Sequence, residues 1–496
     1  MLRAGGNAFD AVAAALWTAC VAEPVLASVG GGGFLMARPH GEEARVYDFF
    51  THTPHRRIPP DIEDFREIQA DFGAAQQGFQ IGLGSAATPG MVAGIFRFHS
   101  ELGTLPRQDV MAPAIEAARR GVPLNEVGAY LLQVLSPILT ATPGAQAIFA
   151  PGGSLLTPGD TLRQGELAHL LEALLTEGPD LFYRGEVADK IGRACEEGGG
   201  HLTRQDFQRY RVQVRRPLST SFRASRVWSN PAPASGGLMV AFALQMLADP
   251  RSAREAMEAP LNPVIRAARA LAVTQRARLQ EGLLDGLDDR RALEVLSPEI
   301  LSRYRALTRQ GWPATRGTTH ISVVDSQGGA AAVTVSNGEG CGWMVPGTGF
   351  MLNNMLGEED LQPGGFQRWP LAQRLTSMMA PTLVEEPDGT ITVLGSGGSN
   401  RIRSALVQVL RSLLEEGVSL ESAIAFPRIH VEGETLEVEG GFPSHILAEL
   451  VKEWPSHRIW DGMNLFFGGV HAVRRGPDLL EAGGDPRRGG VSTLVA

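Results

Sequence analysis

Apolar residues recur with a helical period at 11–21, 91–102, 110–120, 165–177, 187–197, 237–248 and 262–282, and each stretch is long enough to form a helix. This period dominates from about residue 87 to 311, which predicts a mainly helical layer in the middle of the chain. The segment 309–317 has Gly, Pro and small residues without an apolar period and reads as a loop. At residue 318 the period shortens to two. Residues 319–325 and 330–336 alternate around Ser326-Gln327-Gly328-Gly329, which predicts an antiparallel hairpin. A second hairpin is expected at 381–385 and 390–394, closed by Pro387-Asp388-Gly389. Runs at 34–37 and 45–49 read as strands, and 402–416 and 443–453 as helices. Strands with helices on either side predict a layered α/β sandwich.

Two glycine clusters punctuate this pattern. Gly30 to Gly33 precedes a strand, so it predicts close backbone approach or a turn; a Rossmann fingerprint would follow a strand and open a helix. Gly395-Ser396-Gly397-Gly398-Ser399 precedes a helix and reads as a strand-to-helix turn or a loop of free donors.

Composition narrows the function. At about 150 residues per domain, 496 residues suggest roughly three units. Acidic residues outnumber basic ones 54 to 45, so the basic field that a nucleic-acid partner requires is missing. The lysines are Lys190 and Lys452, and neither follows glycine, which excludes a phosphate loop of the G-x-x-x-x-G-K-[ST] form. Cys20, Cys195 and Cys341 are far apart and form no C-x-x-C pair, and no H-E-x-x-H zinc motif occurs. Nothing implies a metal or cofactor. The apolar stretch 12–21 is too short for a membrane span and lacks a basic region before a cleavage site. There is no G-x-S-x-G serine-hydrolase elbow.

The informative segment is Gly317-Thr318-Thr319-His320-Ile321-Ser322-Val323-Val324-Asp325, where a loop meets a strand at paired threonines. A threonine hydroxyl needs a base to become a nucleophile. Cleavage before Thr318 would supply one, because an α-amino group titrates at about 7.7 to 8.0. Gly317 is the small residue such a cut needs.

From here the chain resembles the γ-glutamyltranspeptidases, which are N-terminal-nucleophile hydrolases. The resemblance rests on many pieces in family order: G-G-N-A-F-D-A from Gly5, G-G-G-G-F from Gly30, T-P-G-M-V-A-G from Thr88, G-P-D-L-F-Y-R-G from Gly178 and P-A-P-A-S-G-G from Pro231. T-T-H-I-S-V-V-D from Thr318, L-N-N from Leu352, A-P-T from Ala380 and G-S-G-G-S-N-R-I from Gly395 complete it. It implies a four-layer αββα sandwich of the N-terminal-nucleophile type. It also implies autocleavage between Gly317 and Thr318, giving a large-subunit segment 1–317 and a small-subunit segment 318–496. The two products stay together as a heterodimer and one structural unit, acting on a small-molecule or peptide amide. Thr318 becomes nucleophile and base, Ser336 takes the place of a supporting threonine, and backbone N–H groups at Gly398 and Ser399 form the oxyanion hole.

Substrate positions depart from the family. Phe50 stands where an arginine grips the substrate's α-carboxylate, Met355 replaces a Gln or Glu, and Glu358 keeps an acid. A serine pair matches Ser377 and Met378, and the asparagine after the second threonine matches Asn337 with a one-residue gap. Losing a charge-assisted bidentate contact costs about 2 to 5 kcal/mol, so γ-glutamyl ends are poor substrates unless Arg56, Arg57 or Arg401 replaces it. The short stretch 358–374 leaves little chain for a lid. The expected function is a self-processing γ-glutamyltransferase-like enzyme that passes an acyl group to water or an amine. The alternatives are an acylase for another acyl group and a silent binding protein. Relatives of this family are often exported, but no leader is visible and the compartment stays open. Family members carry a strand before G-G-N-A, so the chain is expected to begin slightly inside the domain.

Overall fold

The computed structural model describes residues 1–71, 76–248, 262–283, 286–305, 318–362 and 365–495. The expected loop at 309–317, including Gly317, lies outside them. The strands of the two large sheets are β1 (Gly32–Arg38), β2 (Arg45–Phe49), β3 (Gln213–Arg215), β4 (Leu218–Phe222), β5 (Ser225–Ser229), β6 (Thr319–Val324), β7 (Ala330–Ser336), β8 (Thr382–Glu385), β9 (Ile391–Gly397), β10 (Gly469–Arg475) and β11 (Leu480–Gly483). One sheet runs β6-β7-β1-β2-β3 and the other β11-β10-β9-β8-β5-β4, all antiparallel within these ladders.

The two-residue period sorts side chains onto the two faces of the first sheet. Leu35, Tyr47, Phe49, Val333 and Val335 pack beneath helices α1 (Ala8–Ala22), α2 (Met91–Leu102), α3 (Arg107–Arg120) and α4 (Gly165–Glu177). Phe34, Met36, Val46 and Ala332 lie on the other face, toward the second sheet, in one apolar cluster with Leu383 and Val393 of that sheet. Beyond that sheet lie α5 (Gly236–Leu247), α6 (Pro263–Gln280) and α7 (Arg401–Leu414). The order is helices, sheet, sheet, helices, the αββα sandwich expected.

The motifs at the start build this frame. Asn7 caps α1 by accepting from the Phe9 and Asp10 N–H groups, and Asp10 accepts in turn from the Asn7 N–H, a capping box. Asp10, fully buried, also takes bonds from Thr104 and Leu105 and so ties α1 to the end of α2. In the glycine quartet a Cβ on Gly31 would fall 2.4 Å from the Ser336 carbonyl oxygen and one on Gly33 2.4 Å from that of Thr334. Close backbone approach is therefore its role.

The middle of the chain is mainly helical, as expected, but not helical throughout, since β3, β4 and β5 lie within it. Leu218 and Phe222 stand four apart, a spacing that fits a helix face as well as one face of a strand, and short polar strands leave no stronger period. Nor is the second glycine cluster simply a turn: β9 runs through Gly397, and the turn is confined to Gly398, Ser399 and Asn400.

Candidate active site

Thr318 immediately precedes β6 and is 5% exposed. Thr319 pairs with Val335, so one further step along the antiparallel register sets Thr318 opposite Ser336. Opposed residues project to the same face, about 4.5 to 5.5 Å apart at Cβ. The eighteen-residue spacing is thus a cross-strand pair. Ser336 Oγ accepts from the Gly338 N–H at 3.0 Å, which orients that hydroxyl.

Sheet packing brings the second glycine cluster to the same place. A Cβ on Gly397 would fall 2.0 Å from the Thr318 carbonyl oxygen, so only glycine lets β9 approach. Gly398 and Ser399 follow with φ of 118° and 49°. Helix α7 starts from their carbonyls, with Arg401 N–H on Gly398 O and Ile402 N–H on Ser399 O, both at 3.0 Å. Among the described residues neither the Gly398 nor the Ser399 N–H donates a hydrogen bond, and donors at a helix start favour a negative oxygen.

This loop is held from behind by groups that the sequence did not single out. Asp360 accepts from Ser399 Oγ and, at 3.1 Å, from Asn400 Nδ2; Arg278 donates to Asn400 Oδ1 at 3.0 Å. Deeper still, Glu432 takes Gln275 at 2.9 Å and Arg403 at 2.7 Å. Burial opposes ionisation of Glu432, but Arg403, His430 and Arg278 outweigh it and hold its pKa at about 2. His320, two residues from Thr318, is buried against Gly395 and hydrogen-bonded to Thr334 Oγ1 at 2.7 Å and Ser322 Oγ at 2.9 Å. Burial and then His471 push its pKa well below the usual range, so it is neutral.

The positions expected to bind substrate divide. Asn337, 1% exposed, has no hydrogen-bond partner on either side-chain polar atom. It stands beside Gly338, where a Cβ would meet Glu358 Oε1 at 3.0 Å and Asn354 Oδ1 at 2.0 Å. Asn337 and Glu358 therefore share the end of β7 with Ser336. Asn353 and Asn354 are struts: Asn353 bonds Gly30 O and Ala87 O, and Asn354 accepts from Glu339 and Gly340. Ser377 uses its carbonyl to hold the Ser235 and Gly236 N–H groups and its hydroxyl to accept from Met379 N–H.

Phe50 and Met378 are packing residues, contrary to the direct alignment. The Phe50 ring, 1% exposed, lies in the intersheet core with its centroid 5.4 Å from that of Phe34. Its carbonyl accepts from Tyr210 Oη at 2.8 Å and from Arg374, an arginine already engaged by buried Asp48 at 3.1 Å. Met378 packs with Leu238 and Phe242, and its sulfur accepts from Ser235 Oγ. Of the proposed substitutes, Arg57 stacks on Trp369 at 4.8 Å and Arg56 reaches the His201 carbonyl at 3.4 Å. Arg401 stacks on Phe466 at 4.9 Å and bonds its carbonyl.

The gamma-glutamyltranspeptidase family profile matches residues 1–495. The chain belongs to that family. It is 29% identical to the glutathione hydrolase proenzyme of Escherichia coli, over 98% of this chain and 87% of that protein. It is equally similar, at 29%, to the acylase ACY 1 proenzyme of Pseudomonas sp. strain V22, over 96% and 87%. In fold it is similar to the cephalosporin acylase of Bacillus halodurans, with a TM-score of 0.78 and 22% identity over 98% of this chain and 91% of the other. Similarity to the gamma-glutamyltranspeptidase of Helicobacter pylori has a TM-score of 0.52 and 24% identity, over 62% and 88%. The αββα layers are therefore those of the N-terminal-nucleophile fold, and the protein is a hydrolase of the gamma-glutamyltranspeptidase and acylase type.

Proposed function

We propose that this family member cuts itself between Gly317 and Thr318 and then works as a threonine amidohydrolase or acyltransferase, as a heterodimer of its 317- and 179-residue products. The observation that carries this reading is the meeting of Thr318, Ser336 and the unused N–H groups of Gly398 and Ser399 at the end of one strand pair. Thr318 Oγ attacks the substrate's amide carbon while its new α-amino group accepts the hydroxyl proton. The Gly398 and Ser399 N–H groups hold the resulting oxyanion, and Ser336 steadies the nucleophile. The amino group passes its proton to the departing amine, leaving an ester on Thr318. Water or an amine then attacks that ester, returns a proton to Thr318 Oγ and releases the acid or a new amide.

The acyl group is γ-glutamyl or a related chain, with Asn337 and Glu358 placed for a polar acyl end. Phe50 supplies no cation, and the nearby Arg374 is spent on Asp48 and backbone carbonyls, which favours acyl groups lacking an α-carboxylate. Purified protein is expected to resolve on a denaturing gel into the two pieces, and Thr318→Ala to stay a single 53.0 kDa band. A wild-type chain that stays whole would refute the processing reading. Comparison of γ-glutamyl with 4-aminobutyryl 4-nitroanilide removes the carboxylate alone; strong preference for the γ-glutamyl compound would refute the argument from Phe50.

A further inference from the structure

Thr318 also lines a groove of about 890 Å³ that has none of Ser336, Asn337, Glu358 or Ser377 on its walls. One wall is the Ala15, Ala19 and Glu23 side of α1; another is β6, the edge strand of its sheet, through Thr319 and Ile321. The third carries Arg488. The groove and the acyl-side residues thus meet at the nucleophile from different directions.

Arg488 is placed by its neighbour. In the short turn Pro486–Arg488, Arg487 points inward and is saturated by Glu439, Asp485 and backbone carbonyls. Arg488 points to the groove. Among the described residues no carboxylate lies within ion-pair distance of it, its Nε has no hydrogen-bond partner, and Nη2 reaches only the Leu465 carbonyl, at 3.4 Å. Three glycines make room for it. A Cβ on Gly469 would fall 2.6 Å from Arg488 Cδ, on Gly398 3.2 Å from Nη2, and on Gly397 3.4 Å from Nη1. The same point on Gly397 is 2.0 Å from the Thr318 carbonyl oxygen, so the guanidinium stands over the nucleophile's backbone and the oxyanion loop. Burial and nearby Arg428 lower its pKa while Asp485 and Glu23 raise it, and at about 10 it remains a cation at neutral pH. A half-buried guanidinium with no carboxylate at ion-pair distance is costly to keep and is the group best suited to grip one.

We infer that this groove receives the amine side of the scissile amide, and the incoming amine in transfer, and that Arg488 selects amines carrying a carboxylate. The inference rests on Thr318 being the nucleophile. The carboxylate would take the fork of Arg488, and Ala15 and Ala19 on the α1 wall would hold the body of the amine.

Matched chromogenic amides test it: the 4-nitroanilide and the 3-carboxy-4-nitroanilide of both the γ-glutamyl and the 4-aminobutyryl group. The wild-type enzyme is expected to favour the carboxylated leaving group in kcat/KM by about tenfold or more, the scale of one charge-assisted contact. Arg488→Ala should erase that ratio and Arg488→Lys keep part of it. A ratio near one in the wild type, or one unchanged in Arg488→Ala, overturns the inference. Calorimetric binding of 5-amino-2-nitrobenzoate against 4-nitroaniline, in wild type and Arg488→Ala, reads the same preference without chemistry. If no amide is cleaved, the proposed function fails, and this binding pair still decides whether Arg488 selects a carboxylate.

Discussion

At the scale of single residues, Gly397 constrains the candidate site as firmly as any side chain does. Gly397 sits against the Thr318 carbonyl with no space for a methyl group, and both clashing partners are backbone. Gly397→Ala is therefore expected to displace Thr318 or the Gly398–Ser399 loop and, on the proposed mechanism, to lower kcat on the order of 100-fold, because misplacement near 1 Å costs that much. Single-turnover rates on processed protein would check it, and a variant within twofold of wild type would refute the close-packing argument. The nearness of Thr318, Ser336 and Gly398 was legible in the sequence because their spacing and motif order survive translation into a strand register. Phe50 was legible only as a substitution. Its burial beside Phe34, and the capture of its carbonyl by Tyr210 and Arg374, depend on residues 160 and 324 positions away, which no local pattern reports.

At the scale of elements, the decisive contact joins a short helical turn to a glycine loop. The turn Glu359–Leu361 brings Asp360 onto Ser399 and Asn400, and Asn400 is braced in turn by Arg278 from α6. Asp360 is a positioning residue: it touches the loop that would hold the oxyanion. Asp360→Ala is expected to lower kcat about tenfold or more while leaving KM nearly unchanged, with Asp360→Asn recovering part of the loss. Equal effects on kcat and KM, or no rescue by Asn, would assign Asp360 to substrate binding or to general stability. Periodicity located most helices within a few residues, since α2 and α4 each carry a continuous apolar stripe. It missed β3 to β5, whose side chains alternate too briefly to outweigh a helical reading and whose place is fixed by pairing with β2 and β8.

At the scale of the whole molecule, both sheets draw strands from each side of residue 317: β1 to β3 join β6 and β7, and β4 and β5 join β8 to β11. Neither segment completes either of these two large sheets alone, which supports reading 1–317 and 318–496 as one unit rather than the roughly three domains that length suggested. Three histidines within this unit, His430 buried and His52 and His471 half-buried, give it an acid limit. His52, held neutral by burial and Arg374, and His430 and His471, held so by burial despite Glu432 and Asp485, each have a pKa of about 4. These folded-state values lie below the ordinary 6.5, so the unfolded chain binds more protons between pH 6.5 and 4 and stability falls as pH drops through that window. Melting temperature is expected to be level from pH 7 to 8 and to decline steadily below 6.5; a flat profile down to pH 4.5 would refute this.

By itself the sequence determined most of the long helices, the hairpin that starts at Thr319 and the glycine loops, because periodicity, turn chemistry and motif spacing are local properties. Only the tertiary structure decided what surrounds them. It set Thr318 against Ser336 and Gly397, retired Phe50 and Met378 to packing, recruited Asp360, and left Arg488 facing a groove, because burial and partner choice depend on which distant segments the two sheets bring together.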